Sequence, residues 1–140
     1  FVRKRFKVVK EQRTYIIKEP TLAVLDVISE VSLKLDINEK SLNDNPIYEA
    51  RRLATKNAAL MARVIALAVV GEDYFVSVGR KIKYNESEVK KLTKIFYTTL
   101  KPSDLRKLCE VITSIANLGD FLNSMRLTSG ARTTRVVIED

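Results

Sequence analysis

Two carboxylate pairs, Asp26 with Glu30 and Glu86 with Glu88, and one thiol, Cys109, are the side chains whose types and spacing invite chemistry. Paired acids suit general acid–base work when they share a cavity, and a thiol becomes a nucleophile when a base or a positive field lowers its pKa. The spacing meets neither condition. Asp26 and Glu30 fall on one face of a helix, and Glu86 and Glu88 belong to a first helical turn, where acids favour the helix dipole. Cys109, in LRKLCEVITSI, lies at helical spacing from Leu105, Leu108 and Ile112, and so reads as a small core residue. The 140 residues include no His, which removes the commonest general base and the commonest zinc ligand. A P-loop, a dinucleotide-binding glycine pattern, a CxxC pair and a nucleophile elbow are all missing, and 4 glycines leave little scope for a phosphate cradle. SGAR, Ser129 to Arg132, reads as a helix terminator. The expectation is a non-enzymatic protein with no cofactor and no metal.

Charge offers a different kind of chemistry. The formal net charge is +8, and it is unevenly placed. Arg3, Lys4, Arg5, Lys7, Lys10, Arg13 and Lys18 face only Glu11 in the first eighteen residues. From Glu19 to Glu49 the sign reverses, and basic residues return in GRKIKYNESEVKKLTK. Interleaved with Phe1 and Phe6, the residues Arg3, Lys4, Arg5 and Lys7 form a candidate nucleic-acid contact, with Lys90, Lys91 and Lys94 as a further group. The competing reading is a charged hairpin whose cations keep a strand edge from aggregating. FVRKRFK also resembles the start of a signal peptide, but Lys10 to Arg13 interrupt the apolar run that a leader needs.

The elements that hold these residues follow from periodicity. Phe6, Val8, Tyr15 and Ile17 alternate with polar positions and predict a β-hairpin over 1–18, turning at Glu11 to Thr14. Pro20 and Thr21 open a helix carrying Leu22, Leu25, Ile28 and Leu35. DINEKSLNDNP is a polar connection, and Asn45 with Pro46 starts the next helix. Along that helix Ile47, Ala50, Ala54, Asn57, Ala58, Met61, Val64, Ile65 and Ala68 share one face, and Arg52, Lys56 and Arg63 lie opposite. Only eight uncharged residues separate Arg63 from Glu72, against about 20 for a bilayer span, so a core helix is expected and no membrane anchor. Its end, Leu67 to Val70, is apolar all round and should be the most deeply buried part.

GEDYFVSVGRKIKY reads as a connection or a small β element, and Asn85 with Glu88 as a capping box opening a helix through Leu92, Ile95, Phe96 and Leu100. Pro102 starts another, whose stripe runs from Leu105 through Ile115 and Ala116 to Leu122. The helical period is lost at Thr128 to Gly130, and Thr133 to Ile138 is β-prone. The fold class expected is mainly α: about four helices in a bundle, a short N-terminal β-hairpin and an extended C-terminal tail. All belong to a single domain over 1–140, with the hairpin at 1–18, the helical core at 20–127 and the tail at 128–140. Leu118, Phe121, Leu122 and Met125 are the candidate partner-binding residues, because the apolar set of NLGDFLNSMRL covers more than one helix face.

The order of these motifs, a basic hairpin, the Pro20 to Leu22 helix start, a central helix ending in LAVVG, LKPSDLRKL and then ANLGDFLNS, resembles the small tail assembly chaperones of long-tailed phages and prophages. The likeness spans roughly residues 6–124. LKPSDL is similar to the helix junctions of such proteins, with Lys101 where a capping Thr is usual. The resemblance implies a helical, non-enzymatic, cytoplasmic protein of a bacterial or phage-infected cell, with a tape-measure or tail-tube protein as partner and self-association between copies. It further implies a binding surface around Phe121, Leu122 and Met125. Its alternative is a basic nucleic-acid-binding accessory protein.

Overall fold

A computed structural model describes residues 3–8 and 13–130. Strands β1 (Arg3–Val8) and β2 (Arg13–Lys18) form an antiparallel hairpin, followed by helices α1 (Leu22–Ser32), α2 (Glu39–Asp44) and α3 (Pro46–Val70). A 3-10 turn (Gly71–Tyr74) leads into a second hairpin, β3 (Phe75–Val78) with β4 (Lys81–Tyr84). Helices α4 (Glu86–Thr99), α5 (Pro102–Ile115) and α6 (Leu118–Ser129) complete the order. The mainly α class with an N-terminal hairpin is therefore correct. The expected turn centre lies outside the described residues, as does the segment 131–140 that holds Arg132 and the β-prone Thr133 to Ile138.

Most helix starts follow from their caps. The Thr21 hydroxyl accepts from Val24 N–H at 3.3 Å, and Asn45 Oδ1 accepts from Tyr48 N–H at 3.4 Å, ahead of Pro46 in the first turn of α3. At α5 the Asp104 carboxylate accepts from the Lys101 backbone N–H at 3.1 Å. Lysine has no oxygen to complete a reciprocal box there. The box expected at Asn85 and Glu88 does not form: Asn85 makes no side-chain cap bond to its helix, and its oxygen accepts from Ser87 instead.

The core gathers around the C-terminal half of α3, as its all-apolar end predicts. Ile65, Ala66 and Leu67 are buried, and α1, α4, α5 and β2 all reach this helix. Pro46–Tyr74 is long and apolar enough by composition to cross a membrane, with mean hydropathy 1.6, yet 44% of its most apolar stretch is buried within the protein. The N-terminal hairpin joins the core through aromatics. Phe6 faces Tyr15 across the ladder, and the rings of Phe6 and Tyr15 lie 5.8 and 5.1 Å from that of Phe96 on α4.

Four expectations need correcting. DINEKSLNDNP contains a short helix, α2, capped by Asn38, whose oxygen accepts from Ser41 N–H at 3.0 Å. The stripe from Leu105 to Leu122 is not one helix, because Asn117 takes a left-handed conformation (φ 55°) and separates α5 from α6. The helical period continues through Ser129, and Gly130 ends it at φ 70°. Lastly, Ile47, Ala50 and Ala54 are exposed and not core. With 25 residues, α3 is longer than α1 with 11 and α4 with 14, which leave the face carrying these three positions uncovered.

Lys56 with Asp36 and Arg63 with Glu86 are the ion pairs that join α3 to its surroundings, and a carboxylate of α3 adds a further link. Glu49, only 1% exposed, accepts from Arg52 Nε at 2.7 Å and from the Asn38 backbone N–H at 3.1 Å, which pins the α1–α2 link. Arg52 holds the Glu49 carboxyl down at a pKa of about 2, against an ordinary value near 4.5. Because the folded pKa is the lower, this contribution to stability is complete above pH 4.5 and is lost as the pH falls toward 2. Glu49→Gln should therefore flatten the dependence of urea midpoint on pH below 4.5, and an unchanged slope would remove Glu49 as its source. Phe96→Ala should destabilise the fold by about 3–5 kcal/mol, since it empties the contact between hairpin and helix; urea unfolding measures it.

Candidate protein-binding surface

Among the described residues the acid pairs and the thiol singled out in the sequence do not converge on one site. Among the described residues no group of three His, Cys, Asp or Glu side chains converges on a metal position. Asp26 and Glu30 are both exposed on α1, outside any shared cavity. Glu86 is occupied by Arg63, at 3.2 Å through one guanidinium nitrogen, and accepts from the Tyr74 hydroxyl at 2.7 Å. Hydrogen bonding to Arg63 lowers the Glu86 pKa, and burial raises that of Tyr74. The network is thus a permanent ion pair joining α3 to α4, and it offers no base. Burial also pushes the Cys109 thiol up, which keeps it protonated as a packing residue.

What the surface does present is apolar. Leu118, Phe121, Leu122 and Met125 follow one another at i, i+3, i+4 and i+7, so α6 brings them together on one stripe. They are 49, 41, 46 and 52% exposed, and no residue of α6 is buried. The helix is tethered at its start, where the Asn117 side-chain amide donates to Glu19 at 3.2 Å and to Asp120 at 2.8 Å. Leu127 lies off the stripe, on the far side of the helix.

A groove of about 440 Å³ is the second apolar feature. Leu53, Ala54 and Met61 of α3 form its floor, Phe96, Tyr97 and Leu100 one wall, Leu35 and Ile37 the other, and Pro102 with Leu105 close one end. Asn57 also lines it, buried, with a side-chain oxygen that makes no hydrogen bond. The periodicity of α3 marks these positions as apolar. That they are uncovered follows only from the unequal helix lengths.

The candidate nucleic-acid residues are less unified. Lys4, Arg5 and Lys7 are exposed, but strand alternation puts Arg5 and Lys7 on one face and Lys4 on the other, beside Ile17, while Arg3 opens the strand opposite Lys18. A second group of cations lies on the second hairpin and α4: Arg80, Lys81, Lys83, Lys90, Lys91 and Lys94 are all exposed and near one another in the chain, with Tyr84 between them. Gly79, at φ 62°, begins the two-residue turn that presents Arg80. The GRKIKY run is its visible signal, which acquires shape only once the strands pair.

No family model, curated protein or solved structure matches this chain. The reading of the surface therefore rests on its own geometry. Because no residue of α6 is fully buried and Phe121 is 41% exposed, Phe121→Asp should cost much less stability than a core substitution, as measured by chemical unfolding. A large loss would show that α6 is part of the core.

Proposed function

We propose that this protein is a non-enzymatic assembly factor that binds amphipathic helices of a protein partner. The observation that carries this reading is the pairing of two uncovered apolar surfaces on one small fold, the α6 stripe and the α3 groove. Isolated apolar side chains on a surface are ordinary, whereas a stripe at helical spacing and a groove shaped for one are the parts of helix-in-groove recognition. The resemblance to phage tail assembly chaperones supplies the context: a tape-measure or tail-tube protein as partner, in the cytoplasm of a bacterial or phage-infected cell.

Such binding depends on apolar burial, so it should survive raised salt and nuclease treatment. The test is capture by the tagged protein from nuclease-treated lysate of its native cell, compared with Phe121→Asp and Ala54→Glu. A long helical protein retained by the parent and lost by both variants is the expected result. Equal capture by all three would place the interaction elsewhere.

The second hairpin favours one alternative. Its cations and those of α4 suit a phosphate backbone, and contact with about six phosphates would weaken binding roughly a thousandfold between 50 and 200 mM salt. Lys81→Glu with Lys83→Glu should then reduce the affinity for single-stranded DNA at low salt. No binding by the parent at low salt would eliminate this alternative.

A further inference from the structure

The first hairpin leaves one backbone edge open, and a recess runs along it. Strands β1 and β2 form a two-stranded sheet, so the edge of β2 that faces away from β1 pairs with no strand among the described residues. A cavity of about 320 Å³ is lined by every residue from Thr14 to Glu19 and by no described residue of β1. Side chains of a strand alternate between two faces, so a cavity that touches all of them in succession lies at the strand's edge and not over one face. The opposite wall is apolar, with Val24 and Ile28 of α1, Val70 of α3, and Ile112 and Ile115 of α5. Three carboxylates, Glu19, Glu72 and Asp73, line the recess against one cation, Lys18. It shares no lining residue with the α3 groove.

We propose that this edge is a strand-addition site, and that its occupant is the chain's own segment Thr133 to Ile138, laid antiparallel to β2 as a third strand. An open strand edge takes extended backbone, and Thr133 to Ile138 is the β-prone run left outside the described residues. As a strand it would carry Thr134, Val136 and Ile138 on one face, which suits the apolar wall, with Arg135 and Val137 on the other. The attachment of α6 brings the segment close. Asn117 donates to Glu19 of the recess at 3.2 Å, so α6 starts at the site itself. Its twelve residues carry the chain roughly 18 Å onward. Residues 131–140 span up to about 33 Å when extended, which is enough to return. Arriving at the Glu19 end, the segment runs toward Thr14 against the direction of β2, and Arg132 and Arg135 meet the carboxylates first. The size of the recess selects a tethered occupant over a separate one. It offers little beside the roughly 1,200–2,000 Å² of a stable interface between molecules. A tethered strand needs far less, because its effective concentration is of roughly millimolar order.

Amide hydrogen exchange of the full chain, read residue by residue by NMR, tests the assignment. Alternate amides of 133–138 and the outward amides of β2 should exchange at least about tenfold more slowly than in a free chain. This protection should hold constant over a roughly tenfold range of protein concentration, as a contact within one chain requires. Val136→Asp combined with Ile138→Asp should remove it from both segments, whereas Val137→Asp, on the opposite face, should keep it. Unchanged exchange in the helical core shows that the variants remain folded. Free-chain exchange of 133–138 in the parent overturns the proposal. Protection that rises with concentration also overturns it, and would assign the β2 edge to a second copy. So does a double variant whose β2 amides exchange as in the parent, because the segment then lies elsewhere. None of these outcomes depends on capture of a partner helix, so the assembly-factor reading stands or falls separately.

Discussion

Close packing around the last turns of α3 is the constraint on which the rest of the molecule depends. Ile65, Ala66 and Leu67 are covered on every side, a position that small residues make attainable because Ala62, Ala66 and Ala68 let neighbouring backbones approach. The elements around this point have different lengths and end at different heights along α3. Coverage is therefore close around Ile65, Ala66 and Leu67 and looser elsewhere along the helix. The groove follows from burying one end of a 25-residue helix with partners of 11 and 14 residues.

Charged groups set the position of the α1–α2 link. Glu49 accepts from both Arg52 and the backbone at Asn38, while Lys56 reaches Asp36 on the same link at 3.2 Å. Further along the same face of α3, Glu86 is fixed by Arg63 and Tyr74, which sets where α4 begins and hence where its far end, carrying Phe96 and Leu100, forms the opposite wall. Only the Glu49 carboxylate is buried, so losing Arg52 would strand its charge, whereas the other pairs are partly exposed and specify position more than they add net stability.

Most of this was legible in the sequence where the signal was local. Pro46 behind Asn45, Thr21 before the first apolar run and Pro102 all mark helix starts because caps and fixed φ angles act within one turn. The Asn117 break was missed although Asn is the non-glycine residue best suited to a left-handed cap; the apolar period on both sides of it suggested a single stripe. Asn85 shows the opposite error: residue types fitted a capping box, but its backbone N–H donates to the Tyr74 carbonyl at 2.8 Å and its side chain turns elsewhere. The exposed turns of α3 were illegible for a different reason. Periodicity reports which face is apolar, and only the lengths and placement of neighbours decide whether that face is covered.

The same distinction governs the two functional readings. A charge of +8 is a property of the whole chain, and it acts over a Debye length of about 8 Å in physiological salt, so it speeds and biases encounters without defining a shape. The α6 stripe and the groove are defined in shape to the level of single turns. An isolated helix of 12 residues is marginal in water, because nucleation is costly and nothing offsets it. A helix of that length with no fully buried residue and a continuous apolar stripe is consistent with the partner-binding role proposed for it. Under the proposed function the basic surface guides approach, while specificity belongs to the apolar face.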